Sequence, residues 1–207
     1  MSARGGSRQR ASALVAVLAG GRGRRLGGEK ALVELGGRTL ISYPLRAARG
    51  AGLEALVVAK GDTALPPVHA PVLREPDQPR HPLCGVVAAL QHVRGAGRSR
   101  RPVLVVACDM PFVSAALLGW LARRNGETVA VEVAGRVQPF PALYRPAQLE
   151  RLEAELAAAR PLRATLELLQ ATVVSEQALR AFGEPRRLCF SVNEPGDLQA
   201  VRRWLAS

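Results

Sequence analysis

Three uninterrupted apolar runs punctuate the chain, at residues 14–19, 55–59 and 103–107. Each is short, rich in Val and Leu, and bounded by Gly or polar residues. That pattern predicts strands buried on both faces of a parallel sheet. Between them the apolar positions change to helical spacing. Leu40, Ile41, Leu45 and Ala48 mark a helix over residues 39–49, with Pro44 in an early turn and Gly50, Ala51 and Gly52 ending it. A second helix opens at Pro82 and runs through Val86, Val87, Leu90 and Val93. The Pro-rich residues 64–82 between them form a long loop, with a short strand at Val72 and Leu73. Ser114 is suited to cap a helix over residues 115–124.

The second half is less regular. Residues 128–133 predict a strand, and residues 137–144 its hairpin partner across Ala134, Gly135 and Arg136. Leu149, Leu152 and Leu156 predict one helix and residues 162–169 another. Residues 188–192 predict a strand, residues 193–196 a turn, and residues 197–205 a closing helix. Strand, helix, strand, helix, strand is the order of an α/β protein with a doubly wound, mostly parallel sheet.

Composition narrows the class. No apolar run reaches the ~18 residues of a membrane span, and residues 1–12 are polar, without the apolar stretch of a secretory signal. They are expected to form a disordered basic tail, followed by a single domain over residues 13–207. Three well-separated cysteines, Cys84, Cys108 and Cys189, support neither a disulfide framework nor a zinc site, so a cytoplasmic setting is expected. The net charge of +12 raises the alternative of a non-catalytic basic nucleic-acid-binding protein. The arginines are scattered along the chain, however, and a bias toward anionic small substrates explains them better.

Candidate chemistry concentrates just after the first apolar run. Gly20 and Gly21 let the backbone turn and come close to a ligand, and Arg22, Arg24, Arg25 and Lys30 bring positive charge to the same loop. A polyphosphate, carried by a nucleotide, is the simplest ligand. The loop is not a P-loop, because Gly28 is followed by Glu29, Lys30 and Ala31; nor is it a dinucleotide fingerprint, whose third small residue would fall on Leu26. Asp109 follows the third strand, where open α/β sheets place their ligands, and is the best candidate for holding Mg²⁺; the alternative is a turn-capping role. His69, His81 and His92 read as structural.

The stretch from Leu18 to Ile41, reading LAGGRGRRLGGEKALVELGGRTLI, resembles the signature loop of the sugar-nucleotide-pyrophosphorylase-like nucleotidyltransferases. Within them it is most similar to the molybdenum cofactor guanylyltransferase family. The likeness continues through Pro82, Leu83, Cys84 and Gly85, through the Cys108-Asp109-Met110-Pro111 segment, through residues 138–144 and through residues 191–198. It implies a Rossmann-like fold of the nucleotide-diphospho-sugar transferase type. It also implies transfer of GMP from GTP to the phosphate of Mo-molybdopterin, with Mg²⁺ or Mn²⁺ as cofactor and protein partners that deliver or receive the product. Leu18, Ala19, Gly20, Gly21, Pro82, Leu83 and Gly85 would contact the nucleotide, together with Glu75 or Asp77. Arg25 and Lys30 would neutralise charge, and Asp109 would hold the metal with help from Asn193. The chain departs from the family pattern at Ala59, His81 and Ser191. A cytidylyltransferase is the nearest alternative, although relatives of that kind usually carry Leu-Ala-Ala-Gly where this chain has Leu18, Ala19, Gly20 and Gly21.

Overall fold

The apolar runs become the centre of a seven-stranded sheet in a computed structural model that describes residues 12–21, 23–26 and 28–206. Arg22, Gly27 and all but Ser12 of the expected basic tail lie outside the described residues. In chain order the strands are β1 (Leu14–Leu18), β2 (Glu34–Leu35), β3 (Arg38–Thr39), β4 (Glu54–Lys60), β5 (Val72–Glu75), β6 (Val103–Ala107), β7 (Thr128–Val133), β8 (Arg136–Tyr144) and β9 (Thr172–Val174). The helices are α1 (Ser42–Gly50), α2 (Pro82–Gly95), α3 (Ala115–Leu121), α4 (Leu149–Ala157), α5 (Leu162–Leu168), α6 (Glu176–Leu179), α7 (Pro185–Leu188) and α8 (Pro195–Ala206).

The sheet order is β5-β4-β1-β6-β8-β7-β9, and β2 and β3 form a separate ribbon. The pairs among β5, β4, β1 and β6 are all parallel. The hairpin strand β8 then enters antiparallel to both β6 and β7. Alternation along the strands divides the core in two. Val15, Val17, Leu104 and Val106 face the side covered by α1 and α3. Ala16, Leu56, Val58 and Val105 face the side covered by α2, α4 and α5. Burial on both faces explains why these strands read as continuous apolar runs.

Tyr144, at the end of β8, is fully buried, and its hydroxyl has no hydrogen-bond partner among the described residues. Desolvating a hydroxyl without a partner costs about 1–3 kcal/mol. Tyr144→Phe is therefore expected to leave the urea midpoint unchanged or raise stability by up to ~1 kcal/mol. A loss of that size would contradict the geometry.

Two expectations need correction. Residues 188–192 do not form a strand. Pro185 starts a short helix, the Glu184 side chain accepts from Arg187 N, and the chain then crosses the tip of β6, where Val192 N donates to Asp109 O at 2.9 Å. The apolar residues there, Phe190 and Val192, pack with Leu35, Leu40, Phe112 and Trp204 in a third small core. The second correction is at α3, which ends at Leu121. Its last turn tightens, with Arg123 N bonding Trp120 O and Arg124 N bonding Leu121 O. Ser114 caps that helix as expected, accepting from Leu117 N at 3.1 Å.

Candidate active site

β1 lies between β4 and β6, with Leu18 level with Val58 on one side and Ala107 on the other. The chain therefore leaves the sheet at adjacent C-terminal tips, and a cleft of about 340 Å³ opens above them. Leu18, Gly20, Gly21, Lys30, Glu75, Pro82, Gly85 and Asp109 line it, so eight of the residues expected from the sequence converge there. Ala19 and Leu83 are fully buried and absent from its lining. Arg25 is exposed and outside the lining, as is Asp77, whose Oδ1 accepts from Asp62 N at 3.0 Å. Of the two candidate acids, Glu75 is the one the fold brings to the cleft.

At one end of the cleft, Lys30 ties the tip of β6 to the segment between α7 and α8. Its Nζ donates to Asp109 Oδ2 at 2.5 Å and to Asn193 Oδ1 at 2.7 Å. Asn193 is set in place by its own backbone, because Asp197 Oδ2 accepts from Asn193 N at 2.7 Å and from Glu194 N at 3.0 Å. Asp109 is 6% exposed, and its Oδ1 is buried without a hydrogen-bond partner among the described residues. A free carboxylate oxygen beside a second oxygen donor suits a hard divalent cation that completes its shell with phosphate and water. The described residues contain no cluster of three or more His, Cys, Asp or Glu, so any such cation would rest on few protein ligands. Neighbouring Cys108 is no nucleophile, because burial first and the adjacent Asp109 second push its thiol far above the ordinary range.

The other end is formed by α2 and β5. His81 Nδ1 accepts from Leu83 N at 3.2 Å, so this histidine caps the helix and lines the cleft at once. The N-terminus of α2 thus adds partial positive charge to the cleft. Glu75 is 8% exposed, and burial raises its carboxyl above the usual range while Lys60 opposes that shift. Lys60 and Arg80 also line the cleft, neither of them picked out from the sequence as a site residue, and Phe140 lines it from the 138–144 stretch to which the family likeness points. A lysine ending an apolar strand reads as the point where the strand meets solvent, so nothing local marked Lys60 as buried.

Comparison with known proteins identifies the family. The family model of the MobA-like NTP transferase domain matches residues 15–176. A probable molybdenum cofactor guanylyltransferase of Opitutus terrae is 35% identical over 201 residues, covering 93% of this chain and 96% of that one. A molybdenum cofactor guanylyltransferase of Cereibacter sphaeroides is 39% identical over 146 residues, covering 69% of this chain and 74% of its own. Among solved structures, the molybdopterin-guanine dinucleotide biosynthesis protein A of Archaeoglobus fulgidus superposes with a TM-score of 0.76 at 25% identity, covering 93% of this chain and 98% of that one. With its Gly-rich loop, acidic strand tip and sheet order all in place, the chain belongs to the MobA-like NTP transferases and is a nucleotidyltransferase of the molybdenum cofactor guanylyltransferase kind.

Proposed function

We propose that residues 13–207 act as one nucleotidyltransferase domain that transfers GMP from GTP to the terminal phosphate of Mo-molybdopterin, releasing pyrophosphate. The observation that carries this reading is the meeting of Lys30, Asp109 and Asn193 at one end of a cleft whose other end holds a buried acid, Glu75. The first end suits a triphosphate with its cation, and the second suits a base rich in hydrogen-bond donors.

In the reaction an oxygen of the acceptor phosphate bonds to the α-phosphorus of GTP, and the bond from that phosphorus to the β-phosphate bridging oxygen breaks. No covalent enzyme intermediate is needed; positioning and charge neutralisation carry the catalysis. Asp109 and Asn193 would hold Mg²⁺ or Mn²⁺, which supplies neutralisation of the negative charge that grows around the α-phosphate. Lys30, now bonded to both ligands, turns its ammonium to the phosphates when they arrive. Gly20 and Gly21 let the backbone of the loop approach the nucleotide, and Glu75 rather than Asp77 faces the base. Arg25, exposed in the loop after β1, would meet the outer phosphates. Residues 138–144, which include Phe140 on the cleft wall, form the side toward the pterin.

Relatives named as guanylyltransferases favour neither cytidylyl transfer nor simple nucleic-acid binding. No helix among the described residues is long and apolar enough to cross a membrane, and all three cysteines are free, which suits work in the cytoplasm, with protein partners handing over or collecting the cofactor.

Nucleotide-dependent melting tests the reading. A ligand at 100 times its Kd stabilises by about 2.7 kcal/mol, and each kcal/mol moves Tm by roughly 2–4 °C at this size. GTP with Mg²⁺ is expected to raise Tm by about 5–10 °C on that arithmetic, and more than CTP, ATP or UTP at equal concentration. A larger shift with CTP would replace guanine by cytosine as the base.

A further inference from the structure

Lys60 ends β4 and Glu75 ends β5, and the two strands are parallel with these residues in register. Their side chains therefore stand on the same face of the sheet, the face covered by α2. Both are almost wholly buried, at 3% and 8% exposure, and both line the cleft. Lys60 Nζ lies 3.3 Å from Glu75 Oε1 and donates to Pro79 O at 2.8 Å. Glu75 Oε2 is buried and has no partner among the described residues.

The neighbouring cations are committed elsewhere. Arg74 Nη1 donates to the backbone oxygens of Lys60 and Thr63, and Arg80 pairs through Nη2 with Asp62. Arg80 Nη1 is buried without a partner among the described residues, but the ion pair that Glu75 makes is with Lys60. Lys60 is thus the cation that answers the Glu75 charge. Gly20 passes directly over the pair. A Cβ there would sit 3.2 Å from Lys60 Cγ and 3.6 Å from Glu75 Oε1, so the missing side chain leaves the carboxylate open to the cleft.

A buried carboxylate with one oxygen anchored and the other free is an acceptor pair waiting for two donors. Guanine offers two adjacent donors, N1–H and the 2-amino group. Hypoxanthine offers only the first, and adenine and cytosine do not present that pair. The match holds only while Glu75 is ionised, since a protonated carboxyl would turn one acceptor into a donor. Burial works against ionisation, and a paired ammonium works for it.

We propose that Lys60 is a specificity-determining positioning residue, whose ammonium orients Glu75 and keeps it a two-acceptor carboxylate that selects guanine by its N1–H and 2-amino edge. This rests on the cleft being the guanine-nucleotide site. Lys60 Nζ is held between Glu75 Oε1 and the Pro79 carbonyl. Its effect passes through Glu75, so it should change which base binds and leave the handling of the triphosphate alone.

The test measures Kd by calorimetry for GTP, ITP, ATP and CTP with Mg²⁺, on wild type, Lys60→Met, Lys60→Arg and the double variant Lys60→Met with Glu75→Gln. Charge-assisted hydrogen bonds of about 1.5–3 kcal/mol correspond to a preference of roughly 10–100-fold for GTP over ITP in the wild type. Lys60→Met is expected to weaken GTP by roughly 10–100-fold more than ITP, to leave ATP and CTP unchanged, and so to bring the GTP to ITP ratio near one. Lys60→Arg should restore most of that ratio. Equal weakening of all four nucleotides by Lys60→Met would reduce Lys60 to a structural residue and overturn the proposal. If Lys60→Met does not fold, the double variant replaces the ion pair by neutral groups of similar size, and a retained GTP over ITP preference there overturns it as well. A wild type that binds CTP as well as GTP refutes the guanine reading itself, which is a separate result.

Discussion

Asp109→Asn is expected to cut pyrophosphate release by roughly 10²–10³ while leaving the protein folded. The carboxylate stands at the tip of β6 with Oδ2 on Lys30 and Oδ1 buried without a hydrogen-bond partner among the described residues. The amide keeps the size and one acceptor oxygen but loses the charge that would balance a cation and its phosphates. Losing one such electrostatic contribution in a preorganised site carries a rate penalty of the size given above. Stability should change by about 1 kcal/mol or less. Breaking a fully buried ion pair would cost several times that, but the Lys30 side chain is 16% exposed and still has Asn193 as a partner. The bond that ties the C-terminal segment to this tip runs from Val192 N to the Asp109 backbone oxygen, which the substitution does not touch. A turn-capping role forecasts a stability loss of roughly 1 kcal/mol or less with turnover nearly intact, so turnover is what decides. Measuring pyrophosphate release and the urea midpoint on one preparation separates them; turnover within tenfold of wild type would remove Asp109 from the metal site.

The same residue shows what a sequence can reveal of such a site. Asp109 was legible because a parallel strand buried on both faces reads as a pure apolar run, and whatever polar residue ends the run marks the sheet's C-terminal edge. β1, β4 and β6 were placed within a residue or so for that reason. Residues 188–192 misled because their apolar character serves the third core, where Val192 packs with Leu35 and Leu40 and no strand neighbour is involved. Periodicity cannot tell a short apolar run in a sheet from one in a clasp. β9 went unseen, since three residues at a sheet edge, two of them exposed, carry too little pattern. Glu75 and Asp77 were indistinguishable in the sequence because the choice depends on where β5 stops. Lys60 was invisible for the complementary reason: its partner is 15 residues away and meets it only through strand register.

Gly23→Ala is the second change with a large expected effect, and it acts on geometry alone. Gly23 is buried in the loop after β1, and its carbonyl oxygen accepts from Leu26 N at 2.7 Å and from Gly28 N at 3.2 Å. The loop therefore folds back on itself around this residue. A Cβ at Gly23 would collide with the Gly28 backbone oxygen and would lie 2.9 Å from Lys30 Cγ and 3.2 Å from Lys30 N. Two of these three atoms are backbone, so no rotation of a side chain relieves the clash; the segment leading to Lys30 has to move. Lys30 bridges Asp109 and Asn193, and a displacement of its ammonium by about 1 Å is enough to cost on the order of 10²-fold in turnover. The main cores around the sheet contain neither Gly23 nor Lys30, so the fold should survive with its melting temperature little changed. Gly28→Ala supplies the control from the same loop, because a Cβ there would meet nothing within 4 Å. It is expected to bind GTP and turn over like wild type. Parallel measurement of GTP affinity, turnover and Tm on the two variants isolates the clash, and a Gly23→Ala protein as active as Gly28→Ala would show that the loop does not hold Lys30 in place.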